Sequence, residues 1–551
     1  MKNKDFEKPL ENLILITLVA TTVFIAPWSV THPYSIPKLI PLISFSLPLL
    51  AIIFSIIGVN KLKNYKFILT LILLHTLSSV LVILLGKNNT IQQLYGVWGR
   101  NNGFLTHFSY IILMTAAIFF STKKSLNKFV KISIIIGWIT LAYGLMQYFK
   151  LVRITSINGG NTQSVGFFGN ENFYSSFIGV ISVISLSMAL GINNKNIYSK
   201  ILYFVFPIIG LIGIYLANSQ QGYLVFAVGS SILIFMYLKT ANKKLSANIF
   251  ILTSSLGLFL ITLGFFQIGP LAKFVYEKSI SFRGYYWRTG FEIFFNNPII
   301  GVGFDSYRDW YRRFRSPEAL NVLGPTDIAD SAHNYFIDLA VNGGIFLLFT
   351  YLAIIFYVIF CTLKILKNMQ QYNASQVAII AAWYSYMTQT FISLPQPGLT
   401  IWGWVLSGLV IAIDKQNSRD SLEFKTKILS KNSYAIAGLF LVFGLILSIF
   451  PYRTSHEYRN AVETQNISNL INSAQLFPRD ATMCSASGGA LIGLEYFDDA
   501  KKILSKCIDE FPQYYESWYV YSLLPNLTAE EINRANKQMV FLEPILKKSR
   551  N

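Results

Sequence analysis

The sequence predicts an all-α protein, a polytopic helical membrane bundle of about thirteen spans followed by a small extracytoplasmic domain of α-helical repeats. Three observations predict it. Hydrophobic residues make up 53% of the chain and charged residues only 13%, outside the range of soluble globular domains. About thirteen apolar runs approach the ~20 residues that a helix needs to cross a bilayer core. The chain beyond residue 451 loses that character and carries a repeat of helix-pair length instead.

The runs lie near 10–30, 38–58, 66–86, 104–120, 129–149, 172–192, 199–217, 222–239, 247–268, 335–363, 375–393, 398–414 and 433–451. They lack period-2 alternation, and a helix satisfies its own backbone in lipid, so a bundle is expected rather than a barrel. The first run follows Lys2, Lys4 and Lys8 without a small-residue cleavage site and reads as a retained span.

Basic residues set the orientation. With a cytoplasmic N-terminus the inner segments hold 22 lysines and arginines, and the outer short loops hold 5, namely Lys38, Lys87, Arg100, Lys150 and Arg153. Thirteen spans then leave the C-terminus outside. The net charge of +19 does not point to nucleic acid, because the 452–551 tail, with 11 basic and 12 acidic residues, is nearly neutral. The excess belongs to the membrane part, where it is topological, with a share for anionic lipid.

The expected domains are a membrane domain over 1–451, with a long external loop at about 269–334, and the 452–551 tail. In the tail, Phe477-Pro478 and Phe511-Pro512 recur after 34 residues, the period of tetratricopeptide helix pairs. Gly488 and Ala500 stand where such pairs need small residues, and Trp518 follows Cys484 by the same period. Stacks of this kind bind proteins or peptides, so a protein partner is one expectation and a plain helical cap the other. The three cysteines show no metal-binding spacing; Cys484 and Cys507 can pair in an oxidising compartment or serve as small core residues.

The candidate chemistry lies between Arg283 and Gly344, the one long polar stretch in this hydrophobic chain. It ends in Ser331-Ala332-His333-Asn334-Tyr335 where apolar residues resume, so a titratable imidazole is expected at the membrane boundary. Upstream stand Arg283, Arg288 and the cluster Arg308, Arg312, Arg313 and Arg315. Within the same stretch run Asn297-Pro298-Ile299-Ile300-Gly301-Val302-Gly303 and Asn342-Gly343-Gly344. Gly301 and Gly303 do not form a nucleotide loop, since no GxGxxG or lysine-bearing phosphate loop follows a strand here.

In this order, arginine, tryptophan, Pro-x-x-Gly-x-Gly, loop, His-Asn and Gly, the stretch resembles the core of the O-antigen ligase and O-antigen polymerase superfamily. Gly99-Arg100-Asn101-Asn102-Gly103, Gly166-Phe167-Phe168-Gly169-Asn170-Glu171-Asn172 and Asn218-Ser219-Gln220-Gln221-Gly222 look similar to its membrane half. The resemblance covers roughly residues 90–365. It implies transfer of a glycan from undecaprenyl diphosphate to a lipid, glycan or protein acceptor on the outer face of a bacterial cytoplasmic membrane; with no metal-ligand spacing among the histidines and no paired acidic residues, a reaction without metal or cofactor is expected. His333 matches the family histidine and is the expected general base, because a neutral imidazole can take a hydroxyl proton. Arg283 matches the loop arginine and is the first expected diphosphate contact, with Arg288 in reserve, because a guanidinium binds phosphate oxygens at two points.

One departure stands out. Many ligases carry an arginine where this chain has Gln220 and Gln221, so a second charged contact is missing; Arg100, Arg153 or the 308–315 cluster can substitute. Gln220 and Gln221 can still donate hydrogen bonds without charge, and they stand with Arg100, Arg312, Arg313 and Asn334 as substrate-binding candidates. The plain alternatives are a helix-capping role for Ser331 or Asn334 and a lipid-headgroup grip for Arg312, Arg313 and Arg315. Gly169-Asn170-Glu171-Asn172 reads as an external turn starting a helix. His32, His75, His107 and His456 show no metal-ligand spacing. A transporter or scaffold is the competing function class, disfavoured because no internal repeat is visible and the polar residues concentrate at one edge.

Overall fold

The computed structural model describes residues 7–56, 63–152, 164–191, 197–265, 268–275, 278–417 and 431–545. Among the described residues the regular structure is entirely helical. The chain opens with α1 (Glu7–Val23), α2 (Leu39–Ile56), α3 (Lys66–Leu85) and the short α4 (Thr90–Tyr95). It continues through α5 (Phe104–Phe120), α6 (Lys123–Tyr148), α7 (Glu171–Gly191), α8 (Ile197–Leu216), α9 (Gln220–Thr240) and α10 (Lys244–Phe265). The long loop contains α11 (Ala272–Val275), α12 (Lys278–Asn296), α13 (Tyr307–Phe314) and α14 (Pro317–Leu323). Then α15 (Tyr335–Asn368), α16 (Ala374–Thr390), α17 (Pro397–Asn417) and α18 (Lys431–Glu463) close the bundle. The tail adds α19 (Ile467–Ser473), α20 (Ala481–Gly493), α21 (Phe497–Glu510), α22 (Tyr515–Ser522) and α23 (Ala529–Leu542).

Each of the apolar runs becomes one helix. Ten helices among the described residues are long and apolar enough to cross a membrane, and the runs that form α1, α5 and α16 give helices of 17 residues. Burial sorts them. In α17 every residue from Pro397 to Asp414 is buried, whereas α10 exposes Leu245, Ile249, Leu252, Leu256 and Phe259. A helix that is apolar all round is central when buried and faces lipid when exposed. The few polar groups of the centre pair across helices: Trp383 Nε1 donates to Ser407 at 2.8 Å and Trp402 Nε1 to Thr22 at 2.9 Å.

Two details differ from the sequence reading. Lys38, expected in an outer loop, is fully buried and donates to the Thr21 carbonyl at 3.0 Å. Carbonyls in the last turn of a helix lack helical partners, and a lysine ammonium at the end of α1 satisfies them. Pro451 marks the change of composition but not a break, since α18 runs through it and carries the chain from the bundle into the tail.

The tail has its own core around Leu491, Leu504, Trp518 and Leu542. Gly488 lets α20 and α21 approach, because a Cβ there would fall 2.5 Å from Leu504. Cys484 and Cys507 are both buried and bridge the same two helices as a disulfide, with 6.2 Å between their Cα atoms.

Candidate active site

The glycine motifs join the external loop to the bundle. Inside α15 the backbone leaves the helix at Gly344, at φ 64 and ψ −160. The freed groups bond to the Pro298–Gly303 segment: Val302 N donates to Val341 O and Gly303 N to Asn342 O, both at 2.9 Å, and Ile345 N to Pro298 O at 2.7 Å. Contact is too close for side chains. A Cβ on Gly344 would lie 2.3 Å from Ile299 O, and one on Gly301 2.4 Å from Val341 O, with both residues at positive φ. The motif thus fixes where the loop meets the start of α15. Beneath it Ile293, Val302, Tyr307, Trp310, Tyr311 and Ala332 form a small separate core.

That junction presents His333. Its backbone is left-handed, at φ 52, a conformation open to histidine, asparagine and aspartate more than to other side chains. The turn is built on Asp338, whose oxygens accept from Ser331 Oγ at 2.7 Å and Ala332 N at 2.8 Å, while His333 N donates to Ser331 Oγ at 2.9 Å. Capping falls to the neighbour: Asn334 Oδ1 accepts from Phe336 N at 3.0 Å and Ile337 N at 3.2 Å, and its amide donates to Phe391 O. The imidazole is therefore not used by the cap. Its ring stacks on Tyr286 of α12, with centroids 5.6 Å apart.

The electrostatics keep the ring neutral. Burial pushes the His333 pKa below its ordinary 6.5; Asp330 opposes this, and the charges of Arg283 and Arg100 reinforce it. Arg283 is buried on the same helix as Tyr286. Arg100 reaches the cluster from the other side, with Nε donating to Asp330 at 2.6 Å. Burial alone would raise the Asp330 pKa, but the Arg100 charge and hydrogen bond outweigh it and the carboxyl stays below the usual range.

Arg100 rides on the loop between α4 and α5. Asp305 pins that loop by accepting from Val97 N at 2.8 Å and Asn102 N at 3.2 Å, and burial raises its own pKa to about 6. Arg100, Asp305, Asp330, Asp338, His107 and Tyr335 line one cavity. Asn102 Oδ1 and Asn342 Oδ1, on residues of the same wall, are buried and meet no protein donor. Two such oxygens in a cavity that is otherwise largely apolar suit water or a hydroxyl-bearing ligand.

The other sequence candidates lie elsewhere. Arg288 is exposed and faces Glu318 at 3.7 Å. Gln220 is exposed, and Gln221 donates to Ser176 of α7 at 2.9 Å; neither is among the cavity's lining residues, and nor are His333 and Arg283, which lie beside it next to Asp330. Asn170 Oδ1 accepts from Asn172 N at 2.9 Å in a turn leading into α7. Arg153 lies outside the described residues. Arg312 and Arg313, expected at substrate or lipid headgroups, turn to the tail. Arg312 pairs with Glu516 at 2.8 Å and Glu543 at 3.0 Å and lies over Tyr515. Arg313 donates to Gln513 at 2.7 Å and lies over Trp310 and Phe541. Arg315 pairs with Glu543, and Arg308 donates to Thr482 at 2.9 Å. Aromatic faces and carboxylates in the tail offer these guanidinium groups what a headgroup layer would.

Sequence reasoning missed Asp305, Asp330 and Asp338. It also missed a relation between His75 and His107, whose Nε2 atoms are 2.9 Å apart. His75 Nδ1 lies 2.8 Å from Thr350 Oγ1, so the pair is linked to α15, and which nitrogen donates in each contact depends on the tautomers. Among the described residues no group of three or more His, Cys, Asp or Glu is placed to hold a metal ion.

Residues 204–352 match the family model described as O-antigen ligase. The O-antigen ligase match runs from within α8 to the first half of α15. It spans the external loop, Arg283 and His333, whereas Arg100 precedes it and the tail follows it. Together with the apolar helices it supports a membrane enzyme of O-antigen ligase or polymerase type. No curated protein matches the chain.

Proposed function

We propose that the chain is a glycosyltransferase that moves a glycan from undecaprenyl diphosphate to an acceptor hydroxyl on the outer face of a bacterial cytoplasmic membrane. The observation that carries this reading is His333, held neutral by burial and by the charges of Arg283 and Arg100 around it. A neutral imidazole beside two cations suits a reaction that needs a base at one end and charge neutralisation at the other. The acceptor oxygen attacks the anomeric carbon, its proton passes to His333, and the bond to the diphosphate breaks. The carrier leaves as undecaprenyl diphosphate, its negative charge met by Arg283 and Arg100. One displacement of this kind inverts the anomeric centre. Guanidinium groups take the part that a divalent cation plays elsewhere, so the reaction proceeds without metal.

The buried disulfide in the tail agrees with an oxidising, external compartment. The tail shares an end of the bundle with His333, because Trp98 N bonds to Asp480 two residues before Arg100. A protein acceptor is the second reading, favoured by the seat of the tail helices against α13. The test is transfer by the purified chain in liposomes, from undecaprenyl diphosphate glycan to a glycolipid or a peptide acceptor, with divalent cations chelated. Transfer that persists under chelation supports the reading; transfer restored only by added cations overturns its metal-free form.

A further inference from the structure

We infer that Asp480, in the tail, is a positioning residue for Arg100, so that the tail is a working part of the site. The inference rests on the reading of Arg100 as a diphosphate contact. The loop that carries Arg100 makes one turn of its own, with Arg100 N and Asn101 N donating to Val97 O at 2.9 and 3.0 Å. Gly96, Gly99 and Asn101 stand at positive φ, between 57 and 85, and three further amides of the loop are held by carboxylates outside it. Asp305 takes Val97 N and Asn102 N on one side. On the other, Asp480 Oδ2 takes Trp98 N at 3.1 Å.

The two oxygens of Asp480 have separate tasks. Oδ1 caps α20, accepting from Thr482 N at 2.7 Å and Met483 N at 3.3 Å. Oδ2 serves the Arg100 loop. The carboxylate is 7% exposed, and its helix is seated on the external loop next door: Arg308 donates to Thr482 at 2.9 Å and lies 4.6 Å over the Tyr514 ring. A short covalent and hydrogen-bonded path therefore runs from the tail to the base, from Asp480 to Trp98, along the loop to Arg100, across to Asp330, and along the chain to His333. The two hydrogen bonds of this path each involve a charged group, the kind that loses most when one partner is removed.

Asp480→Asn separates the tasks. An asparagine is as good a helix cap as an aspartate, but its amide nitrogen cannot accept from Trp98 N. The control is Asn466→Ala, which removes a cap of the same strength from α19 in the tail, away from the Arg100 loop. Asp480→Asn is expected to raise the KM for undecaprenyl diphosphate glycan about tenfold, the size of one lost charge-assisted hydrogen bond, with a smaller change in kcat. Asn466→Ala should leave KM within about twofold, since its contact is remote. In an Arg100→Ala background the Asp480 change should add nothing to KM. Equal effects of the two tail variants on KM, or full additivity with Arg100→Ala, would overturn the positioning role. A second measurement does not depend on transfer. Hydrogen exchange of the 96–103 segment should quicken in Asp480→Asn while the α20 amides stay protected, and unchanged exchange at 96–103 sinks the proposal even if the function reading stands. If the wild type transfers nothing, this exchange result still decides whether Asp480 holds the loop.

Discussion

His333 and Tyr286 lie ring on ring, their planes 27° apart and their centroids 5.6 Å apart. The contact joins the end of the external loop to α12, and it sets the imidazole beside the helix that carries Arg283. Since Asn334 caps α15 on its own, a structural role for the histidine ring reduces to this stacking. The two roles respond differently to substitution. His333→Asn keeps a residue type that tolerates the left-handed backbone, and it removes the proposed base. Transfer should fall by about 10²–10⁴-fold, with the melting temperature of the purified protein close to wild type. Wild-type transfer by well-folded His333→Asn protein removes the histidine from the mechanism.

The pH profile tests the electrostatics. The folded His333 pKa lies below 6.5 because of burial and the two arginines, so the neutral base survives as the medium is acidified. The acid limb of kcat/KM is expected below the ordinary histidine range, activity being lost only as pH falls through the lowered value. Removing Arg283 takes away one of the charges that lower it, so in Arg283→Gln the remaining activity should show an acid limb moved upward. Stability has the same sign: below pH 6.5 the unfolded chain binds a proton that the folded site refuses, and stability is lost as pH falls. A limb that stays in place in Arg283→Gln would show that the arginine does not act on the imidazole.

The membrane helices were legible because their cause is local: an apolar run is visible in any window of the chain. Pro298-Ile299-Ile300-Gly301-Val302-Gly303 and Gly343-Gly344 were legible only as motifs of the resemblance, because the backbone pairing between them joins the external loop to α15. The charged groups were not legible, because their partners are remote. Arg312 and Arg313 stand among aromatic residues, a pattern that reads alike for a headgroup layer and for Glu516, Glu543 and Phe541 some two hundred residues later. Asp305 and Asp480 act on backbone amides of the 96–102 loop, which no side-chain pattern encodes. His75 and His107 pair across α3 and α5, and neither carries a spacing signal in its own helix.

The seat of the tail should fail at one residue. Glu543 is 2% exposed and accepts from both Arg312 and Arg315. Glu543→Gln leaves Arg315 without its counter-charge and Arg312 with Glu516 alone, and breaking a buried pair in this way costs about 3–5 kcal/mol. The expected result is a lower melting temperature and faster proteolytic release of the segment after α18. Arg288→Gln is the contrast, because its pair with Glu318 is largely exposed and such pairs contribute about 0–1 kcal/mol. Equal stability of the two variants would show that the arginine cluster does not hold the tail.

The last expectation concerns how Arg283 meets its ligand. With glutamines at 220 and 221, the first exposed and the second bonded to Ser176, the charge expected there from the resemblance is not supplied from α9. On the proposed reading Arg283 and Arg100 both meet the diphosphate, and Arg100 also bonds to Asp330. Arg283→Lys keeps the charge but not the planar fork that meets two phosphate oxygens at once. If that geometry matters, the variant should raise the KM for undecaprenyl diphosphate glycan by about tenfold, the loss of one charge-assisted contact. Arg313→Lys, which alters only a contact with Trp310, Phe541 and Gln513, should leave KM unchanged and act on tail stability instead. Steady-state transfer with the purified variants in liposomes separates the two. A wild-type KM in Arg283→Lys would mean that the site reads charge alone, and the two-point contact would have to be abandoned.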